Sequence, residues 1–369
     1  MLLISEQGSN NVSKRIRIFD PALRIASDAG SRAISLERIE TSGAAEDPLF
    51  AQASALFLHI ADLNLASARR MQRAFALAHA HGVPVIVDAD DDYFSDADCG
   101  AFDRQLAEHV PVMRQLLPQA QCLTATGPEL AASLRAFGVE VVIIPNCADP
   151  RDYAPRPKAS SRLRIGFCGG PTHLHDLTAM LPAIAHLQRQ QDFEFVLFGL
   201  YDREFSATVE KARALTAAQA TDPSIRDFAA FAHALKGIDF KHVPSVPYPE
   251  FPAALGELDL DIGLCPLLDS HFNRCRSALK FYQYAAVDTV TLASDVRPYQ
   301  GECITLAKNT VEAWVEKLGA LIQDPSLRAS QLAQQQTYWR GARTWTAVEP
   351  LYRQLLLRHL PASVQHAGG

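Results

Sequence analysis

The stretch Arg164–Leu177, RIGFCGGPTHLHDL, joins an apolar strand to a helix through two glycines. This strand–turn–helix pattern is the first half of a βαβ unit, from which parallel α/β sheets are built. Gly169 and Gly170 allow a ligand to approach the backbone closely. Thr172 is placed to cap the helix, which we expect to begin near His175. The glycine spacing differs from the GxGxxG fingerprint, which argues against a nicotinamide-dependent dehydrogenase.

The same alternation of strands and helices continues on both sides of this stretch. Helical spacing of apolar residues predicts long helices over Leu63–His81, Phe102–Leu117, Asp176–Gln190 and Trp345–Leu360. Short β-rich runs predict strands over Met1–Ser5, Ala55–His59, Pro84–Asp88, Cys122–Ala125, Val141–Pro145, Leu163–Cys168, Glu194–Leu200, Ile238–Val243, Ile262–Cys265 and Val290–Ala293. Because helices separate short buried strands, we predict an α/β fold with two doubly wound, Rossmann-like domains.

The polar stretch Asp149–Arg162 carries three prolines and has no periodicity, so it is the best candidate for a linker. We expect an N-terminal domain over residues 1–150, completed by a C-terminal helix at about 340–362, and a C-terminal domain over 151–339. Two such domains joined by a hinge would bind ligands in a cleft at the carboxyl ends of their strands.

The composition excludes several classes of protein and of binding partner. A length of 369 residues suits two domains, and 48% hydrophobic with 21% charged residues argues against disorder. The formal net charge of -6 argues against nucleic acid as a partner, although a few local cations could still hold a small anion.

The seven cysteines form no CxxC pair, so we expect no disulfide framework. No apolar run approaches 18 residues and the first residues lack a basic n-region, so we expect a cytoplasmic protein.

The stretch Asp269–Tyr284, DSHFNRCRSALKFYQY, holds the densest group of candidate binding residues: Asn273, Arg274, Arg276, Ser277 and Lys280. If a helix begins near Arg276, its amino end and the cations form an anion site suited to a diphosphate, with Lys280 one turn later on the same face. The alternative is a solvated basic helix start. The apolar residues on both sides place the cluster at the edge of the core, which favours a function.

His173 and His175 could hold a metal, could hydrogen-bond to a sugar or phosphate, or could cap a helix. Positions i and i+2 of an extended loop point to the same side, but no third ligand lies nearby in sequence, so a metal is the least favoured of these. Tyr248, in the loop SVPYPEF, could stack on a base ring, or it could serve only in packing.

The segment Val87–Phe94, VDADDDYF, follows a strand of the first domain and contains the carboxylates Asp88, Asp90, Asp91 and Asp92. They cannot all be buried and ionised without partners. Some of them could cap the next turn while the rest are solvated. Alternatively, one of them could act as a base or bind a sugar hydroxyl. We hold both interpretations open, and we do not favour a metal-binding DxD role.

In this order, the segments resemble GT-B glycosyltransferases, closest to the family 4 enzymes of bacterial polysaccharide or O-antigen assembly. The resemblance rests on VIVDADDDYF, on LTATGPELAASLRAFGVEVVIIPNCADP, on RIGFCGGPTHLHDL, and on the long segment from VPYPEF to VTLAS. It implies transfer of a sugar from a nucleotide-sugar donor to a glycan, lipid-linked or protein acceptor, an activity of EC class 2.4. It also implies that no metal or cofactor takes part and that the anomeric configuration is usually retained.

The resemblance also assigns roles to residues. Lys280 and Arg274 match the diphosphate clamp, and Arg276 takes the first basic position of that segment. The residues expected at the donor are Gly169, Gly170, Thr172, His173, His175, Tyr248, Asn273, Arg276, Ser277 and Gln283. The first domain would hold the acceptor through Asp90 and Asp92, and Asp91 is the candidate base if the reaction inverts. An acceptor on a membrane carrier could bring the protein to the inner face of the membrane.

Three departures from the family pattern support a different hypothesis. Gln283 replaces a glutamate that hydrogen-bonds to the ribose, and Asp288, Thr289 and Val290 replace a "GvP" turn. Cys275 stands where the family has a second acidic residue. A catalytically degenerate GT-B binding module is therefore the main alternative. A sugar-nucleotide epimerase, for which we find no acid/base pair, is a weaker one.

Overall fold

The computed structural model describes residues 3–4, 12–28, 50–51, 53–60, 65–95, 103–155, 160–200, 205–214 and 223–359. The chain divides into two compact units. The first comprises Met1–Cys147, Arg274–Ser277 and Trp345–Gly369, and the second comprises Ala148–Asn273 and Ala278–Thr344. The sequence placed the first boundary at residue 150. It did not foresee that the four residues 274–277 belong to the first unit.

The first unit is built on a parallel sheet with the strand order β1-β2-β3-β4-β5. Its strands are β1 (Leu3–Ile4), β2 (Ala55–His59), β3 (Val85–Ala89), β4 (Cys122–Ala125) and β5 (Val141–Ile143). Strands β2, β3 and β4 are buried along their whole length, as expected for strands covered on both faces.

Helices accompany this sheet. They are α1 (Val12–Lys14), α2 (Asp20–Asp28), α3 (Leu65–Ala80), α4 (Asp103–Leu116), α5 (Pro128–Leu134) and, at the end of the chain, α14 (Trp345–His359). A π-helical turn, Arg15–Phe19, joins α1 to α2. Trp345 and Tyr352 of α14 are buried in the same apolar cluster as Ile18 and Phe57. The last predicted helix therefore completes the core of the first unit.

The second unit is built on another parallel sheet, with the order β11-β10-β9-β6-β7-β8. Its strands are β6 (Arg164–Cys168), β7 (Glu194–Phe198), β8 (Phe240–Val243), β9 (Ile262–Cys265), β10 (Val290–Ser294) and β11 (Thr305–Ala307). This is the Rossmann order. The strands after β6 are added on one side of it and the strands from β9 onward on the other, so the strand order reverses between β6 and β9. Ligands of such sheets bind beyond the carboxyl ends of the strands at that reversal.

The helices of the second unit are α6 (Leu174–Gln188), α7 (Phe205–Arg213), α8 (Pro223–Ala234), α9 (Phe251–Glu257), α10 (His271–Arg274), α11 (Leu279–Ala286), α12 (Val311–Gln323) and α13 (Pro325–Ala342). The last residue of α10 is counted with the first unit. Apolar side chains of α6 and α12, among them Leu181 and Leu318, pack with strand residues in one large core cluster. A satellite cluster includes Phe281 and Tyr284 of α11.

The predicted α/β fold with two parallel-sheet domains is confirmed. The second sheet has the doubly wound order, whereas the described strands of the first sheet follow one another in chain order. β11 was missed because its three residues lack a long apolar run. Of the predicted strand Met1–Ser5, only Leu3–Ile4 lies within the described residues, and residues 156–159 of the predicted linker lie outside them. None of the described helices has the length and apolar character needed to cross a bilayer.

Tyr284 fixes the position of helix α11 on the second sheet. Its ring lies over Gly263, where an added Cβ would come within 2.5 Å of the ring. Its hydroxyl accepts a hydrogen bond from the backbone N–H of Cys168 at 2.9 Å and lies 3.4 Å from the carbonyl oxygen of Gly166. Since these contacts tie the helix to the end of β6, they also fix the position of Lys280 on its first turn.

A buried ion pair lies at the carboxyl ends of the strands of the first unit. The carboxylate of Asp88, at the end of β3, accepts hydrogen bonds from Arg17 Nη2 at 2.6 Å and from Nε at 3.1 Å. Arg17 also donates from Nη1 to the carbonyl oxygen of Ile144 at 2.6 Å. Both charged side chains are at least 99% buried. Burial alone would raise the pKa of Asp88, but the cation outweighs it and holds that pKa well below its usual range.

We expect Arg17→Met to destabilise the protein by about 3–5 kcal/mol, because it leaves a buried carboxylate without its cation. Urea unfolding at neutral pH measures the change. Arg15→Met is the matched control: the Arg15 side chain is 31% exposed and pairs with Asp20, so its loss should cost less than about 1 kcal/mol.

The pH dependence of the free energy of unfolding is a second test of the Arg17→Met variant. A depressed pKa in the folded state stabilises the protein above the ordinary value of 3.8 and ceases to do so as the pH falls below it. In Arg17→Met, burial without the cation raises the pKa of Asp88, so the carboxylate can be relieved by protonation. The stability difference between wild type and Arg17→Met should therefore be largest at neutral pH and shrink steadily as the pH falls. A difference below about 1 kcal/mol at neutral pH would contradict the proposed stabilising role of the pair.

Candidate functional site

The best candidate for a ligand site in the second unit lies beyond the carboxyl end of β6. After Cys168 the chain passes through Gly169 and Gly170, makes a 3₁₀ turn over Pro171–His173, and enters α6 at Leu174. The neighbouring strand at the reversal is β9, so the loop occupies the position where sheets of this order bind ligands.

A row of three polar side chains, one each from this turn, from α6 and from α11, lies beside the loop. Asp176 Oδ2 is 3.0 Å from His173 Nδ1, and His173 Nε2 is 2.8 Å from the ammonium nitrogen of Lys280. An ammonium group can only donate, so Nε2 accepts from it and the proton of the neutral imidazole lies on Nδ1, facing the carboxylate. The row fixes a cation directly beside the glycine loop. Such a cation is suited to neutralising a phosphate.

Asp176 also organises the loop that follows β9. Its Oδ1 accepts hydrogen bonds from the backbone N–H of Leu268 at 2.8 Å and from Asn273 Nδ2 at 3.1 Å. Asn273 donates as well to the carbonyl oxygen of Leu268 at 2.9 Å. The amide group of Asn273, predicted to bind a donor, is therefore used inside the protein. Asp176 itself was missed by the sequence analysis.

The two glycines of the loop serve different purposes. A Cβ on Gly169 would lie 2.9 Å from the ring of Phe167 and 3.1 Å from Lys280 Cε, so this position is glycine because the protein itself fills the space. A Cβ on Gly170 would meet nothing within 4 Å, so the backbone at Gly170 is open to an approaching molecule. Of the two predicted donor-binding glycines, only Gly170 presents open backbone.

Thr172 does not cap helix α6. The N-cap residue is His173, without a capping side chain, because the 3₁₀ turn carries the chain past Thr172. His175 likewise lies apart from His173: it is exposed on α6 and its Nε2 is 2.8 Å from Asp227 Oδ2. The two histidines diverge because the loop is helical at this point, whereas the metal interpretation required an extended loop.

Helix α11 begins at Leu279, three residues later than expected. Arg276 therefore precedes the helix, and the prediction that it shares a helix face with Lys280 is wrong. Arg276 and Arg274 belong to the first unit, whereas Lys280 belongs to the second. Arg274 is exposed at the end of α10.

Gln283 and Tyr248 belong to a third group in the second unit. Gln283 is buried, and the hydroxyl of Tyr153 hydrogen-bonds to both Gln283 and Tyr248. Burial raises the pKa of Tyr153 well above its usual value, so its hydroxyl stays protonated. Tyr248 stacks on Phe251 with the ring centroids 6.3 Å apart. Both predicted donor-binding residues thus have partners within the protein.

Asp288, which stands at the "GvP" turn, has a backbone φ of 57°. This left-handed conformation favours glycine, and aspartate is among the few other residues that adopt it at modest cost. Its carboxylate accepts a hydrogen bond from Gln336. The departure from the family pattern is therefore accommodated in the backbone of the turn.

The carboxylates of the first unit fall into two classes. Asp88 is fully buried with Arg17, and Asp92 is fully buried in a turn. Asp92 Oδ1 accepts from the backbone N–H groups of Phe94 and Ser95 at 3.0 and 3.1 Å, and Oδ2 accepts from the hydroxyl of Ser95 at 2.6 Å. This capping geometry favours the structural interpretation of Asp92 over the predicted role in acceptor binding.

Asp90 and Asp91 form the second class, because each side chain is 15% exposed. Asp91 Oδ1 is 3.4 Å from Arg276 Nε, and its Oδ2 accepts from the hydroxyl of Tyr93 at 3.2 Å. Burial raises the pKa of Asp91 to about 6, even though Arg276 acts in the opposite direction. A carboxylate with this pKa can exchange a proton near neutral pH.

Ser277, predicted to bind the donor, also has its partner in the first unit. Its hydroxyl accepts a hydrogen bond from Asn146 Nδ2 at 2.8 Å. The Oδ1 atom of Asn146 in turn accepts from Arg17 Nη1 at 3.0 Å. The ion pair at Asp88 is thus connected through Asn146 to the segment 274–277.

A group of metal-ligating side chains lies elsewhere in the first unit, at Cys122, Glu140 and His359. Glu140 already pairs with Arg358 at 2.6 Å, and burial raises the pKa of the Cys122 thiol to about 12. Both conditions oppose the binding of a cation at this group.

Besides Asp176, four residues of these networks were missed by the sequence analysis: Arg17, His59, Thr124 and Tyr153. His59 Nδ1 lies 2.6 Å from Asp88 Oδ2, and Thr124 donates to Oδ1 at 2.5 Å. The sheet register pairs His59 with Asp88 and Asp88 with Thr124. Polar residues at the carboxyl ends of adjacent buried strands were a usable signal for His59 and Thr124. No signal in the sequence pointed to Arg17.

Residues 49–147 match the family model described as a glycosyl transferase 4-like domain. No curated protein matches the sequence. Among solved structures, a glycosyltransferase from Rickettsia africae ESF-5 is 9% identical with a TM-score of 0.64, covering 97% of this chain and 98% of its own.

Two further solved structures share the fold. An alpha-glucosyltransferase in complex with UDP is 10% identical with a TM-score of 0.63, covering 96% of this chain and 98% of its own. The lipopolysaccharide outer core galactosyltransferase WaaB is 10% identical with a TM-score of 0.53, covering 97% and 99%. A glycosyl transferase 4-like domain thus occupies residues 49–147, and the chain as a whole shares the GT-B fold of these solved structures.

Proposed function

We propose that the protein transfers a sugar from a nucleotide-sugar donor to a glycan, lipid-linked or protein acceptor in the assembly of a bacterial surface polysaccharide or glycoconjugate. The observation that carries this proposal is the Lys280 ammonium, held by His173 beside the open backbone of Gly170 at the carboxyl end of β6. In this role Lys280 stabilises the leaving diphosphate, on which negative charge develops as the bond to the sugar breaks.

The second unit binds the donor in this proposal. Lys280 lies on the first turn of α11, whose amino end adds a partial positive charge. Because these groups neutralise the charge that a metal neutralises in other enzymes, we propose a reaction that needs no metal and no cofactor. The UDP bound to the alpha-glucosyltransferase makes UDP the first nucleotide to test.

The first unit binds the acceptor, and Asp91 is the group that we assign to the reacting hydroxyl. If the reaction retains configuration, as the resemblance to family 4 implies, ionised Asp91 accepts a hydrogen bond from that hydroxyl. If the reaction inverts, Asp91 takes the proton as general base. Both roles require the ionised carboxylate. The galactosyltransferase of lipopolysaccharide assembly supports an acceptor of the polysaccharide class.

A catalytically degenerate GT-B fold, kept as a binding or partner module, is the second candidate. Gln283 favours it, because a glutamate at this position would carry the charge used toward the ribose, and here the amide hydrogen-bonds to Tyr153. The row of Asp176, His173 and Lys280 argues for the enzyme, since a module without a donor has no need of a positioned cation.

A panel of UDP, GDP, dTDP, ADP and CMP tests the donor site. At 100 times its dissociation constant, the cognate nucleotide should stabilise the folded protein by about 2.7 kcal/mol. Thermal unfolding with and without EDTA measures the effect, which should be the same in both. Stabilisation that disappears with EDTA would contradict metal independence. The absence of stabilisation by every nucleotide would contradict the donor site.

The variant Lys280→Ala should weaken binding of the cognate nucleoside diphosphate by about 10–100-fold, because a charge-assisted hydrogen bond to phosphate is lost. It should leave binding of the corresponding nucleoside unchanged. Lys317→Ala is the matched control, since Lys317 is an exposed lysine of α12 that pairs with Glu316. Isothermal titration measures all three proteins. Equal affinities in wild type and Lys280→Ala would exclude Lys280 from the clamp.

The rate of transfer should fall as the pH decreases through about 6, because protonation removes the carboxylate of Asp91. Arg276 lowers the pKa of Asp91, so Arg276→Met should move this acid limb to higher pH and Arg276→Lys should leave it nearly in place. Profiles of kcat/KM against pH measure the midpoints. An acid limb that persists unchanged in Asp91→Asn would show that another group titrates.

A further inference from the structure

His59 is a buried imidazole to which the proposed function assigns no role. It ends strand β2, is 2% exposed, and lies beside Asp88 in the register of the sheet. Its Nδ1 is 2.6 Å from Asp88 Oδ2. Because Asp88 is paired with Arg17 and stays ionised, its carboxylate only accepts, so Nδ1 carries the proton.

The other ring nitrogen has no hydrogen-bond partner. His59 Nε2 is buried and lies 3.5 Å from Asp90 Oδ1. Asp90 is the carboxylate whose side chain is 15% exposed, whereas Asp88 is fully buried. The imidazole thus connects a buried anion on one side with a partly exposed anion on the other. A buried ring nitrogen without a partner is unfavourable, and a proton placed between Nε2 and Oδ1 would satisfy both atoms.

The polar and charged surroundings of His59 come from strands β3 and β4, from the segment after β3 and from the π-helical turn. Asp88 faces it from β3 and Asp90 from the segment after β3, and Asp91 interacts with it electrostatically. Arg17 and Thr124 reach it only through Asp88, which they hold from the other side. The orientation of the ring is therefore set by groups that do not face the solvent.

We propose that His59 is a positioning residue for the acceptor. Oriented by Asp88, its Nε2 shares a proton with Asp90 Oδ1 and holds that carboxylate so that its other oxygen accepts a hydrogen bond from an acceptor hydroxyl. This inference rests on the proposed function and assigns acceptor binding to Asp90, distinct from the role of Asp91 toward the reacting hydroxyl. A hydroxyl-rich acceptor of the sugar class has the chemistry that this carboxylate recognises.

A spectroscopic experiment tests the contact without any assay of activity. The protein is labelled with ¹⁵N-histidine, and the ring signals of His59 are assigned by their loss in His59→Asn. The Nε2 resonance should move in Asp90→Asn and move less in Asp91→Asn, the matched control one residue away, because Asp91 interacts with His59 only at longer range. An Nε2 resonance that stays in place in Asp90→Asn, or that moves as much in the control, would overturn the proposal.

Steady-state kinetics test whether His59 affects acceptor binding. The acceptor is a p-nitrophenyl hexoside that the wild-type protein glycosylates. His59→Asn keeps a group that can bond to Asp88 and lacks one that reaches Asp90, so the acceptor KM should rise about ten-fold. His59→Gln places an amide where Nε2 stood and should recover part of that loss. An unchanged acceptor KM in His59→Asn would overturn the positioning role, as would equal losses in both variants.

The nucleotide panel separates the two proposals. If wild-type protein gains no stability from any nucleotide, the proposed function fails, and the role of His59 toward an acceptor fails with it, whatever the resonances show. If the nucleotide stabilises wild type and His59→Asn alike, the donor site is intact. A failure of the resonance or KM test then counts against His59 alone.

Discussion

The ion pair between Arg17 and Asp88 is the constraint on which the first unit depends. Removing two charges from water is costly, and here the cost is offset because every oxygen of the carboxylate is engaged. The pair joins a turn near the start of the chain to the middle strand of the sheet and, through Asn146, to the segment 274–277. A charge network of this kind selects one arrangement of its strands, because any other register leaves a buried ion without a partner.

In the second unit, a cation is held by a histidine that lies between it and the carboxylate of its row. Its cation, Lys280, is held by a neutral imidazole, and the carboxylate of Asp176 lies one residue farther along the row. In this row an imidazole stands between Lys280 and Asp176, whereas Arg17 contacts Asp88 directly. This difference agrees with a structural role for Arg17 and a binding role for Lys280.

The sequence predicted the strands well because a buried parallel strand is a local signal: Ala55–His59, Cys122–Ala125 and Ile262–Cys265 have the predicted bounds. It also located the carboxylates after β3 and the lysine of α11. It could not distinguish among four aspartates, because their partners come from distant parts of the chain; Arg17 lies 71 residues from Asp88. Likewise, the 3₁₀ turn that separates His173 from His175, and the late start of α11, depend on tertiary contacts.

The assignment of residues 274–277 to the first unit has a consequence for how this protein could diversify. A simple exchange of one half of the gene would divide the chain near residue 147 and bring in a foreign second half. Such a chimera would also replace Ser277, the partner of Asn146, and Arg276, the partner of Asp91. Recombination would therefore have to preserve four residues embedded in the other half. Chimeras that keep residues 274–277 together with the first unit should fold better than chimeras made by a single exchange near residue 147.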